Sequence, residues 1–107
     1  MFSRHTDDGY REAVPGISFR TLNHGRNTLM AEFRLAAASR LPPHSHPHEQ
    51  AGYLVSGRMQ LVIGDAVFEA TPGDSWCVPG GVEHRVVVLE DAVAVEVFSP
   101  VREEYLD

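Results

Sequence analysis

The sequence predicts an all-β chain folded as a barrel or sandwich. Apolar residues come in short β-branched and aliphatic runs broken by Gly, Pro, Asn or Asp, and no helical period is sustained before the last few residues. The length, 107 residues, fits one domain with one core, taken as 1–107.

The strands are read in chain order. A first is expected at 17–22, closed by the turn signal of 23–26. In 27–35, Leu29, Ala31, Phe33 and Leu35 alternate with Thr28, Glu32 and Arg34, the period of a strand with one buried face; Met30 breaks its polar side. Further strands are expected at 51–55, 59–63, 67–70, 75–78, 83–89 and 92–98. The intervening turns are Ser56-Gly57, Gly64-Asp65, Thr71-Pro72-Gly73, Pro79-Gly80-Gly81 and Glu90-Asp91. Only 102–106 suggests a helical turn, with Ser99 or Pro100 as its start.

Charge and composition narrow the function classes. Fifteen acidic residues against nine basic ones, all Arg, leave no cationic stripe for a phosphate backbone, so nucleic acid is not expected as a partner. A single cysteine, Cys77, excludes an internal disulfide and fits a reducing cytoplasm. The polar 1–10 segment does not read as a signal peptide, and no apolar run is long enough for a membrane span. A cytoplasmic protein is the expectation. Cys77 and Trp76 lie among hydrophobic neighbours and are expected to pack in the core; Arg85 is expected on the outer face, and His5 and His24 at the surface.

The chemistry concentrates in the Pro42-Pro43-His44-Ser45-His46-Pro47-His48-Glu49-Gln50 segment. His44 and His46 are two apart, so on extended backbone both imidazoles project to one side and can converge on one ion. Gln50 has the same parity. Imidazole nitrogen with amide oxygen is a ligand set for borderline divalent ions such as Mn, Fe, Co, Ni or Zn. Neutral ligands leave the ion's charge uncompensated, which favours anionic substrates. His48 shares the parity and is read as a residue behind the ligands or at the rim.

These residues resemble the cupin superfamily, whose motifs have the forms G-x5-H-x-H-x3-E-x6-G and G-x5-P-x-G-x2-H-x3-N. His44, His46, Gln50 in place of Glu, and Gly57 match the first over 44–57, with Ala38 or Ser39 in the leading Gly region. Gly73, Pro79, Gly81 and His84 match the second over 73–84, with Val88 in place of Asn. The resemblance implies a single double-stranded β-helix, or jelly-roll barrel. It also implies one divalent metal on His44, His46, Gln50 and His84.

A narrower resemblance joins the 43–50 segment, with Gly52 after it, to the tail motif over 96–106. Both look like the small cupins of pectin and alginate degradation, which convert 4,5-unsaturated uronate monosaccharides into linear 5-keto-4-deoxyuronates. The family tail D-x-F-S-P-x-R-E-D-F/Y-L carries its Asp, Phe and Arg at the catalytic site, which implies catalytic roles for Glu96, Phe98 and Arg102. Glu replaces Asp at 96 and adds one methylene.

The implied substrate is a small anionic sugar, and the implied activity is isomerase-type ring opening. Read without the resemblance, a charge sharing a strand face with a core Phe is expected at a barrel mouth, because an unpaired buried carboxylate is costly. Arg102 would then simply pair with an acidic neighbour. Two rival functions are compatible with the fold: a metal-dependent dioxygenase, which leaves Glu96 and Arg102 without an obvious task, and a non-catalytic sugar-binding module. A homodimer is also expected, with Val14, Ile17 and Phe19 supplying its contact.

Overall fold

The computed structural model describes residues 1–106; Asp107, the end of the expected 1–107 domain, lies outside the described residues. Eight strands follow in order: β1 Arg11–Val14, β2 Ile17–His24, β3 Leu29–Leu35, β4 Arg40–His44, β5 Glu49–Ile63, β6 Ala66–Ala70, β7 Ser75–Val78 and β8 His84–Ser99. All pairings are antiparallel.

Two long strands organise the barrel. The C-terminal half of β8 pairs with β3 on one side and with the N-terminal half of β5 on the other, so that one sheet runs β1-β2-β3-β8-β5-β7. The remaining halves pair with each other and with the outer strands, giving a second sheet ordered β4-β8-β5-β6. The sheets therefore share β5 and β8. They leave two seams, one between β1 and β4 and the other between β6 and β7.

This continuity corrects two expected turns. Ser56-Gly57 and Glu90-Asp91 do not reverse the chain; they lie within β5 and β8, opposite each other, where the register shifts between Leu54 and Ser56, Ser56 and Arg58, and Arg58 and Met59. Gly57 has φ +86°, and a Cβ there would overlap the Asp91 carbonyl and Ala92. A positive-φ glycine here bends paired strands from one sheet into the next, as at a bulge.

Two strands were not expected. β1 is short and mostly exposed, and β4 contains Pro42 and Pro43, which cannot donate to a ladder and suit only an edge. β4 pairs with β8 alone, and its register shifts across the prolines. At the other end, the helical turn is a 3-10 turn at Glu103–Tyr105 with Arg102 at its N-cap, so Ser99 and Pro100 do not start it.

The core follows the β3 alternation: Leu29, Ala31, Phe33 and Leu35 are buried with Leu54, Leu61, Val88 and Ala94, while Met30 is exposed. Ile17 and Phe19 belong to this core at 1% and 5% exposure, which removes them from the expected dimer contact. Cys77 is exposed, also against expectation. Trp76 and Val78 are more buried, and strand alternation turns the residue between them outward. Arg85, His5 and His24 are exposed as expected. Among the described residues, no helix is long and apolar enough to cross a membrane.

Candidate functional site

Four of the expected residues meet where the β1/β4 seam opens. His44 ends β4, and His84 begins β8 directly opposite it in the ladder, with ring centroids 4.0 Å apart. His46 follows β4 in a loop, and Gln50 is the second residue of β5. The loop returns by packing on the Pro79-Gly80-Gly81 turn. Gly81 N–H donates to the His46 carbonyl at 2.8 Å, and a Cβ on Gly80 would overlap the Pro47 carbonyl.

Each of the three imidazoles is fixed by its own local backbone. Nδ1 of His44 lies 2.8 Å from the Pro42 carbonyl, Nδ1 of His46 lies 3.0 Å from that of His48, and Nδ1 of His84 lies 2.9 Å from that of Val82. A carbonyl only accepts, so each Nδ1 carries the proton and each Nε2 presents a lone pair. One ligand atom from each ring lies within 4.8 Å of the others.

Burial, the largest cause, pushes the His84 pKa down to about 4 and lowers that of His46, with the Arg102 charge acting in the same direction on both. Neutral imidazoles are the ligand-competent form.

The donor set fits a divalent cation. His84 Nε2 is buried with no hydrogen-bond partner, and an unsatisfied buried polar atom demands an explanation. Gln50 Oε1 lies 3.0 Å from His46 Nε2, so two lone pairs face each other unless a cation lies between them or the amide is turned. His44, His46 and His84 can therefore hold one divalent ion, with Gln50 adjoining them. His48 stands outside this cluster: its ring lies 5.5 Å from that of His46, and its carbonyl orients His46.

A cavity of about 380 Å3 opens onto this cluster. Val14, Leu41, His44, Gln50, Phe98, Arg102 and Tyr105 are among its walls. Phe98 meets the His46 ring edge-on at 5.8 Å. The Arg102 guanidinium lies over the rings of Tyr105 and Phe98, at 4.2 Å and 5.1 Å from their centroids, and pairs with Glu104 at 2.9 Å. A larger cavity, about 540 Å3, opens at the β6/β7 seam along Phe68, Trp76 and Cys77, and none of the histidines lines it.

Glu96 corrects the expectation of a mouth position. It is 6% exposed, inside the barrel, and does not line the cavity that Phe98 and Arg102 share. The missed partner is Trp76, whose Nε1–H donates to Glu96 Oε1 at 3.2 Å. Burial pushes the Glu96 pKa up to about 7, with the Gln50 amide and Trp76 pulling the other way. Oε2 nonetheless has no partner at hydrogen-bond geometry, so Gln50 is best described as a neighbour. Trp76 stands at an inward position of β7, two residues before buried Val78; that parity was the available signal.

Residues 31–100 match the cupin domain family. The chain is 27% identical over 99 residues to the pectin degradation protein KdgF of Dickeya dadantii (strain 3937), covering 91% of this chain and 90% of that protein. The structure of KdgF from Halomonas sp. superposes with a TM-score of 0.90 at 27% identity, over 97% of this chain and all of that one (100%). An RmlC-like cupin from Shewanella frigidimarina NCIMB 400 shares the fold, with a TM-score of 0.92 at 24% identity over 98% and 95% of the two chains.

Proposed function

Because the chain belongs to the cupin domain family, we propose on that premise that it is an enzyme of pectin or alginate breakdown. In this reading it converts 4,5-unsaturated uronate monosaccharides to linear 5-keto-4-deoxyuronates, with one divalent transition metal on His44, His46, Gln50 and His84. The observation that carries it is the meeting of two distant segments: the tail delivers Phe98 and Arg102 to the cavity walled by His44 and Gln50, with Glu96 buried next to Gln50. The near-full-length similarity to two proteins named KdgF, one of them a pectin degradation protein, supports the substrate class.

The reaction is an isomerisation. The anomeric O–H loses its proton as the C1 carbonyl forms, the bond from C1 to the ring oxygen breaks to leave an enol, and C4 gains a proton as the enol becomes a ketone. A metal held by the histidines supplies Lewis-acid stabilisation of negative charge developing on oxygen. Arg102 offers a planar fork that suits a carboxylate, and its stacking on Tyr105 and Phe98 keeps it on the cavity wall. Phe98 forms apolar wall beside His46 and excludes water there. Glu96, buried beside Gln50 just behind the cavity wall, is the acid assigned to the proton exchange in this reading, its pKa pushed up to about 7 by burial.

The substrate absorbs in the ultraviolet through its conjugated enol ether and the product does not, so loss of absorbance reads the reaction. Metal-loaded wild type should accelerate that loss above the spontaneous rate. Glu96→Gln should cost about 10²–10⁴-fold in kcat with the metal retained. Arg102→Ala should chiefly raise KM. A wild type that leaves the spontaneous rate unchanged with Mn, Fe, Co, Ni and Zn would exclude this function.

A further inference from the structure

The hydrogen bond between Trp76 and Glu96 crosses a notch in the barrel wall. On β5, Gly52 pairs with Trp76 on one side and Glu96 on the other, so the three residues stand abreast across three strands. The indole and the carboxylate reach towards each other over the glycine. A Cβ on Gly52 would overlap Trp76 Nε1 and Cε2 together with Glu96 Oε2. Gly52 is therefore a steric requirement of the pair.

An indole N–H can only donate. Oε1 accepts from it, and because the carbonyl oxygen is the better acceptor of a protonated carboxyl, a carboxyl proton is favoured on Oε2. That oxygen is the buried one without a partner. We propose that Trp76 is a positioning residue for Glu96, holding Oε1 across the Gly52 notch so that Oε2 is the oxygen that exchanges a proton with the substrate. Its catalytic arm rests on the ring-opening reading above; the pairing itself does not.

Trp76 is the only tryptophan of the chain, so its indole N–H gives a single resonance to follow. In zinc-loaded protein, Glu96→Ala should move that resonance upfield and speed its exchange with solvent. In the absorbance assay, Trp76→Phe should lower kcat about 10–10²-fold, as expected of a misplaced reacting group, with KM changed less than about threefold and metal content unchanged. Gly52→Ala should give the same split with the indole donor still present. An indole resonance that is identical in wild type and Glu96→Ala overturns the pairing. A kcat within about threefold of wild type in both Trp76→Phe and Gly52→Ala, with metal bound, overturns the positioning role. If wild type is inactive on unsaturated uronates, the ring-opening reading falls with the catalytic arm, and the indole comparison alone decides the pairing.

Discussion

The three imidazoles and the Glu96 carboxylate are polar groups held inside one barrel, but they are held in opposite ways. Each histidine is fixed by a carbonyl two residues away in its own segment: Pro42 for His44, His48 for His46 and Val82 for His84. Glu96 takes its one hydrogen bond from a residue 20 positions away, across a third strand, and keeps one oxygen unpaired. On the metal side local turns preset each ring's tautomer before strand pairing brings the rings together, whereas the hydrogen bond on the carboxylate side exists only after three strands have paired. At one side oriented lone pairs converge; at the other stands a buried acid with one of its two oxygens unpaired.

Removing the ion tests the first half of this contrast with the largest expected effect. A ligand present at about 1,000 times its Kd adds about 4 kcal/mol to stability. For a domain of roughly this size each kcal/mol moves Tm by about 4–8 °C. Chelation should therefore lower Tm by more than about 10 °C, and a restored divalent metal should reverse the change. His84→Ala should abolish that response, while exposed His24→Ala should preserve it. Superposable melting curves for stripped and reloaded wild type would remove the metal centre from the account.

A smaller effect separates the two sides by the sign of their pH dependence in stripped protein. The His84 pKa is held at about 4 against an ordinary 6.5, so between those values the unfolded chain binds the extra proton and stability rises with pH. The Glu96 pKa is raised to about 7 from 4.5, so between those values the folded chain binds the extra proton and stability falls as pH rises. The stability of Glu96→Gln relative to wild type should accordingly grow from pH 4.5 to pH 8, read as a difference in urea midpoints. A difference independent of pH over that range would mean that the buried carboxylate does not titrate as described.

The same contrast explains what could be read from the chain alone. His44, His46 and Gln50 stand out because their geometry is set within a few residues, and a spacing of two means the same thing wherever extended backbone occurs. The β3 alternation is legible for the same reason. Misreadings fall where the deciding contact is distant. Gly57 and Asp91 resemble turn residues until they are seen opposite each other in one ladder. Cys77 reads as core until Trp76 and Val78 take the inner face of β7. Glu96 reads as a mouth residue because nothing in its own strand reveals the indole that meets it or the missing side chain at Gly52 that makes room.

Sharing β5 and β8 between both sheets also has a kinetic consequence. Gln50 and His84 lie at ends of these two strands, whereas His44 arrives on β4, which attaches only to β8, and His46 on a loop that must close on Gly80 and Gly81. The ligands assemble only after non-local pairing, the slow step for such topologies, is largely complete. An ion captured that late slows escape from the native state without hastening arrival there. Stopped-flow refolding of stripped protein should therefore proceed at the same rate with or without zinc, while unfolding is slowed by it; refolding that accelerates with zinc would place the histidines in the folding nucleus.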